Sequence, residues 1–208
     1  MTQSKNVEVG SIVAYRDDYG YVVEINGDEA VILYPRLAPR RVTEKLSSLH
    51  GSKWPLRIVE GQRASEEDLE RVSMVFQEFE HLNAIFWREV ANFKASPEYK
   101  HLLTEEDELR GDDTLAMVNI QRHLMKNFPD AKGLFHVTQL PPYDTIQVTW
   151  QNTIQRKIAK SEVEPLLRPF EWGVTDKEGR YQELRNPFAK VFGGVYFVEL
   201  YPPVLIPD

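Results

Sequence analysis

Nine residues near the start of the chain have the types and spacing for recognition chemistry: Tyr15, Asp17, Asp18, Tyr19, Tyr21, Tyr34, Arg36, Arg40 and Arg41. Aromatic ring faces attract diffuse cations, and the two aspartates add negative charge beside them. Guanidinium groups suit carboxylate or phosphate, and Pro35 and Pro39 stiffen the loop that carries the arginines. Each set also has a plain structural role. Tyrosines in strands pack into a core or cap a sheet surface, and a basic loop can pair with the chain's own acidic helices. Residues 15, 19 and 21 share a face only if the turn between them keeps strand register.

Catalytic and metal-binding chemistry has less support. The chain contains no cysteine, so no disulfide, thiolate ligand or thiol nucleophile is available. Two Glu-x-x-His matches occur, Glu78 with His81 and Glu98 with His101. In di-iron bundles such pairs come from facing helices. Here Glu78 lies roughly 16 residues, or about 24 Å, before the end of its expected helix, whereas Glu98 opens the next. No metal is therefore expected. His50, His123 and His136 have no sequence-local partner for acid–base work, and Ser47 and Ser48 read as turn residues. Nucleotide-binding, nucleophile-elbow and zinc-protease motifs do not occur. No catalytic residue and no cofactor is assigned. An enzyme whose site gathers from distant positions stays as one alternative.

The elements that must position the first set are short strands. Residues 11–15, 21–25 and 30–34 are apolar-rich runs, with a turn expected at Asp17–Gly20. Asn26-Gly27-Asp28 is a hairpin signal, because Asn-Gly tolerates the positive φ of a type I′ turn. After the proline–arginine loop come Val42, a helical turn over residues 46–49, and a closing strand over 56–59. Five short strands separated by turn residues favour a small barrel.

Val13-Ala14-Tyr15, the acidic turn, Gly20-Tyr21-Val22-Val23, the Asn-Gly hairpin, Val31-Ile32-Leu33-Tyr34, Arg41-Val42 and Leu46-Ser47-Ser48-Leu49 resemble the Tudor and KOW branch of the SH3-like barrels. The resemblance covers residues 8–60 and implies a barrel with a binding role. In Tudor-type proteins one mouth of the barrel holds a methylated lysine or arginine among aromatic rings. Tyr15, Tyr19, Tyr21 and Tyr34, with Asp17 and Asp18, are the positions the resemblance offers for such a mouth. An unmodified peptide or partner surface over the same mouth is the other reading.

Beyond the barrel, Ser65 with Asp68 resembles a capping box in which Asp stands for Glu or Gln. Leu69, Val72, Phe76, Phe79, Phe86, Val90 and Phe93 then repeat at helical spacings, while Leu82, Ala84, Ile85 and Trp87 lie outside that stripe. Such a helix is buried on several sides, as a spine between two β parts or against a second copy. Ser96-Pro97 stops it and can start another helix, and a further helix is expected from Asp113 to Asn127, ended by Phe128-Pro129. Strands follow over 134–140, 145–150, 154–158 and 195–201, with a hairpin at Asp176–Gly179. Val148-Thr149-Trp150, Arg156-Lys157-Ile158 and Glu162–Leu166 echo the first barrel and admit a second SH3-like one.

The net charge of −7 is unevenly spread: residues 61–130 hold 15 acidic against 8 basic residues, and the flanking parts are balanced. A general nucleic-acid binder is disfavoured without a basic face. The N-terminal residues lack a signal-peptide pattern, and no window is long and apolar enough for a membrane span. The expected fold class is α+β: an SH3-like barrel over 1–62, an acidic helical spine over 63–130, and an antiparallel β-rich part over 131–208. The expected function is a non-enzymatic binding or adaptor protein, soluble and intracellular, whose protein or peptide partner docks on the nine residues above. A nucleic-acid-associated factor using the arginine loop with Arg156, Lys157 and Lys160 is the first alternative, ahead of the enzyme.

Overall fold

The computed structural model describes residues 7–36, 39–49, 56–107, 109, 114–131, 133–140, 145–153, 156–175 and 181–203. The class is α+β, and the chain divides into two compact units, Met1–Ala84 and Ile85–Asp208. Among the described residues no helix is long and apolar enough to cross a membrane.

The first unit contains β1 (Ser11–Tyr15), β2 (Asp18–Asn26), β3 (Glu29–Tyr34), β4 (Arg40–Lys45), the helical turn α1 (Leu46–Leu49) and β5 (Leu56–Arg63). The strands form one antiparallel sheet in the order β4-β3-β2-β1-β5. This is a meander whose fifth strand returns to pair with the first. The β2–β3 hairpin turns at Gly27, whose φ of 63° is the left-handed conformation that glycine adopts without strain. Val13, Val22, Ala30, Ile32, Tyr34 and Leu49 fill the interior.

The sheet's other face is covered by the start of α2 (Glu66–Ala95), where Val72 and Phe76 pack on Leu33, Tyr21 and Val23. Burying side chains of this size contributes about 1.5–3 kcal/mol each. The helix starts as its sequence indicates. Asp68 N donates to Ser65 Oγ at 3.1 Å, and Ser65 N donates to the Asp68 carboxylate at 3.1 Å. The hydrogen bonds from Ser65 hold the Asp68 carboxyl below its usual range.

The second unit begins within α2 and continues through a 3₁₀ turn (Pro97–Tyr99), α3 (Leu115–Asn127), β6 (Phe135–Leu140), β7 (Thr145–Trp150), α4 (Lys160–Leu167), β8 (Gly173–Thr175), β9 (Tyr181–Glu183), α5 (Pro187–Phe192) and β10 (Phe197–Tyr201). Its main sheet has the order β10-β7-β6. β6 and β7 form an antiparallel pair, but β10 runs parallel to β7. The antiparallel C-terminal β-rich part expected is thus corrected to a mixed sheet, antiparallel at β6–β7 and parallel at β7–β10. β10 reaches β7 through a long crossover containing α4 and α5, and such a connection permits parallel pairing.

The echo of a second barrel does not become one among the described residues, where a three-stranded sheet packs on helices and β8 with β9 makes a separate ladder. The strand expected over 154–158 is not formed at 156–158, and residues 154 and 155 lie outside the described residues. Instead Ile158 N donates to Asn152 Oδ1 at 2.9 Å and Trp150 Nε1 donates to Ile158 O at 3.0 Å. These bonds fold the segment back on the end of β7. The Asp176–Gly179 hairpin also lies outside the described residues. The helix expected after Ser96 is only the short 3₁₀ turn.

Of the Glu-x-x-His pairs, His101 meets another histidine. Its Nε2 lies 2.9 Å from Nδ1 of His123, with the rings stacked at 17°, and Nδ1 of His101 is buried without a hydrogen-bond partner. One nitrogen of the close pair must donate and the other accept, so the contact suits neutral rings. Burial, then His101 and Lys126, lowers the pKa of His123 from 6.5 to about 4; burial, then chiefly Lys126, also lowers that of His101. The unfolded chain therefore binds protons that the folded one refuses. Stability of the second unit is expected to be full above about pH 6.5 and to decline towards pH 4, by on the order of 2 kcal/mol after allowing for solvent screening. Amide exchange in α3, followed from pH 7 to 4.5, measures this. A His123→Gln variant should show a flatter profile than the wild type.

Candidate functional site

The site sits where β1 turns into β2 and β3 gives way to β4. Tyr15 pairs with Asp18 across the first junction and Tyr34 with Arg40 across the second. The first turn is Arg16-Asp17 and not Asp17–Gly20, since Asp18, Tyr19 and Gly20 already belong to β2. Arg16 takes a φ of 55°, strained for a residue with a side chain.

This register decides where the tyrosines go. Tyr15 lies opposite Asp18, whereas Tyr19 lies opposite Ala14 and Tyr21 opposite Ile12. Strand alternation sends Tyr19 and Tyr21 to the other face. Tyr21 packs there beneath α2, and Tyr19 is exposed. The expected group of four is thereby split into two pairs. Arg41 is likewise turned away, opposite Leu33, and pairs with Glu24 at 3.5 Å.

What the structure brings together is Tyr15, Asp17, Asp18, Arg36 and Arg40, with Arg16 added, around a shallow cavity of about 460 Å³. Arg16 could have been suspected from its place between Tyr15 and Asp17. The cavity wall has a definite arrangement at Arg40. Its guanidinium carbon lies 4.4 Å from the ring centre of Tyr34 and 5.1 Å from that of Tyr15, and its Nη2 donates to Asp18 Oδ2 at 3.2 Å. Two ring faces and a carboxylate thus hold one cation.

Tyr34 is only 2% exposed. Its burial, opposed by the attraction of Arg40, pushes the phenol pKa up to about 12, so the ring is neutral throughout the physiological range. Beneath it Gly20 leaves no room for a side chain, because an added Cβ would lie 2.6 Å from Ile32 Cγ2 and 2.8 Å from the Tyr34 ring. The floor of the site is therefore core. Its lid, the Arg40 side chain, is 44% exposed.

The second unit has cavities of about 530 Å³ between α4 and β10 and about 430 Å³ beside Phe93, Tyr99 and Phe188. The sequence pointed to neither. In the larger, Arg168 pairs with Glu164, Glu171 accepts from Val198 N, and Glu199 accepts from Tyr201 Oη. Arg156, of the alternative basic cluster, pairs with Glu162 at 3.1 Å. Among the described residues no three His, Cys, Asp or Glu side chains gather as metal ligands. No family model, curated protein or solved structure matches the chain.

Proposed function

We propose that this chain is a binding or adaptor protein whose protein or peptide partner docks at the barrel mouth formed by Tyr15, Asp17, Asp18, Arg36 and Arg40. The observation that carries this reading is the cavity itself: three arginines, two aspartates and an aromatic wall converge on one end of a barrel. Mixed charges over a tyrosine face recognise a polypeptide carrying both signs better than a polyphosphate, which needs an uninterrupted basic surface. Arg40, Arg41 and Arg156 are each matched by a carboxylate of the chain itself, which weighs against the nucleic-acid alternative. The cysteine-free sequence fits an intracellular setting, which belongs to the same proposal.

Photo-crosslinking tests it. A benzophenone side chain at Asp17 is expected to capture a defined polypeptide in cells, and the same group at exposed Glu78 on α2 is expected not to capture it. Identical adducts from both positions would place the contact elsewhere or show it to be unspecific.

A further inference from the structure

Resting on that reading, we propose that Arg40 is a built-in competitor: it occupies a cation site made by Tyr15, Tyr34 and Asp18, and a partner's cationic side chain enters only when Arg40 leaves. The site has two layers of different character. Tyr34 is buried over Gly20, and its ring has nowhere to retreat. Tyr15 packs against the same core, and Asp18 is fixed opposite it by the β1–β2 pairing. Arg40, by contrast, is the first residue of β4, and its side chain lies nearly half in solvent. Rotation of that side chain alone would uncover the Tyr34 ring face and the Asp18 carboxylate without moving the backbone, with Arg16 still 5.7 Å from the Tyr15 ring centre.

Opening would not be free. Asp18 would lose its cation and the rings would lose a guanidinium, so the closed state is favoured until another cation takes the place. A guanidinium or alkylammonium group replaces Arg40 like for like, whereas an anion meets the negative ring faces and Asp18 there and finds its cations only at Arg16 and Arg36 elsewhere on the cavity. Partner affinity is then reduced by whatever fraction of molecules keeps Arg40 in place, and a change that removes Arg40 should raise it.

The test uses the full chain and methylguanidinium as the probe, with urea as an uncharged control, both below denaturing concentrations. Amide and ring resonances of Tyr15, Asp18 and Tyr34 report binding in wild type, Arg40→Ala and Arg40→Met. Both variants are expected to bind the probe saturably at that site, at least about tenfold more tightly than wild type, which converts to about 1.4 kcal/mol. Adding Asp18→Asn to Arg40→Ala should abolish the binding. Equal binding by wild type and variants would overturn the proposal, as would no binding by a variant whose remaining spectrum is native. This result is independent of whether the mouth is the partner surface. Crosslinking at Asp17 can fail while the probe binds as expected, and the converse outcome removes only the competitor role of Arg40.

Discussion

Asn119→Ala is expected to destabilise the second unit by about 4 kcal/mol, the largest effect of any single polar substitution in it. Asn119 lies on α3 and is fully buried. Its Oδ1 accepts from Leu103 N at 2.7 Å, and its Nδ2 donates to Leu103 O and Phe192 O at 2.8 Å each. One amide thereby ties the segment after the 3₁₀ turn and the end of α5 to the same helix. Alanine removes three hydrogen bonds and leaves three backbone groups without partners, Phe192 O buried and the N–H and C=O of Leu103 half-buried. Each bond lost contributes about 1 kcal/mol, and stranding its partner adds to that. Chemical denaturation monitored by amide exchange in α3 measures the effect. Stability within 1 kcal/mol of wild type would mean that the segment around Leu103 is held by other contacts.

The second large effect is expected in the first unit, where Gly20→Ala should cost about 3 kcal/mol. The new methyl group would meet Ile32 Cγ2 at 2.6 Å and the Tyr34 ring at 2.8 Å. Ile32 is fully buried, so neither neighbour can yield into solvent. Relief requires β2 to move away from β3 or the Tyr34 ring to rotate, and either change disturbs the contact with Arg40. The variant should therefore lose stability and, in the molecules that stay folded, show altered Tyr34 and Arg40 resonances. A native-like denaturation midpoint would show that the β2–β3 spacing adapts. Unchanged resonances at Tyr34 would separate the site from the packing beneath it.

Much of the first unit was legible because its signals are local. Asn26-Gly27 fixed a hairpin, apolar runs on either side of it marked β2 and β3, and the Ser65–Asp68 box marked the start of α2. Which residues share the candidate cavity was legible more than how they are arranged around it. Tyr15, Asp17, Asp18, Arg36 and Arg40 do converge, but Tyr19 and Tyr21 go to the opposite face. That outcome depends on whether the chain turns at Arg16-Asp17 or one residue later, and several residues there accept a turn. The position of Arg40 over two rings follows from the β3–β4 register, which spacing across the proline-containing loop does not reveal.

The second unit was less legible because its decisive contacts are distant in sequence. β10 pairs with β7 some fifty positions away, and a short apolar strand carries no mark of its partner or its direction. Asn119 looks like any polar residue on a helix, since nothing nearby in sequence shows that Leu103 and Phe192 will present their backbone to it. His101 and His123 likewise become a pair only once α3 packs on the preceding turn. The interplay of Tyr34 with Gly20 is a similar case within the barrel, because a small residue opposite a large one is visible only when the strands are in register.

The convergence of Tyr15, Asp17, Asp18, Arg36 and Arg40 on one cavity leads to a single prediction about binding. Once the polypeptide captured at Asp17 is known, its affinity can be measured for wild type, Arg36→Glu, and a control reversal at exposed Arg71 on α2. Arg36→Glu should weaken binding about tenfold or more, with the Arg71→Glu control within about twofold of wild type. Equal affinities for all three proteins would contradict the barrel mouth as the surface where the partner binds.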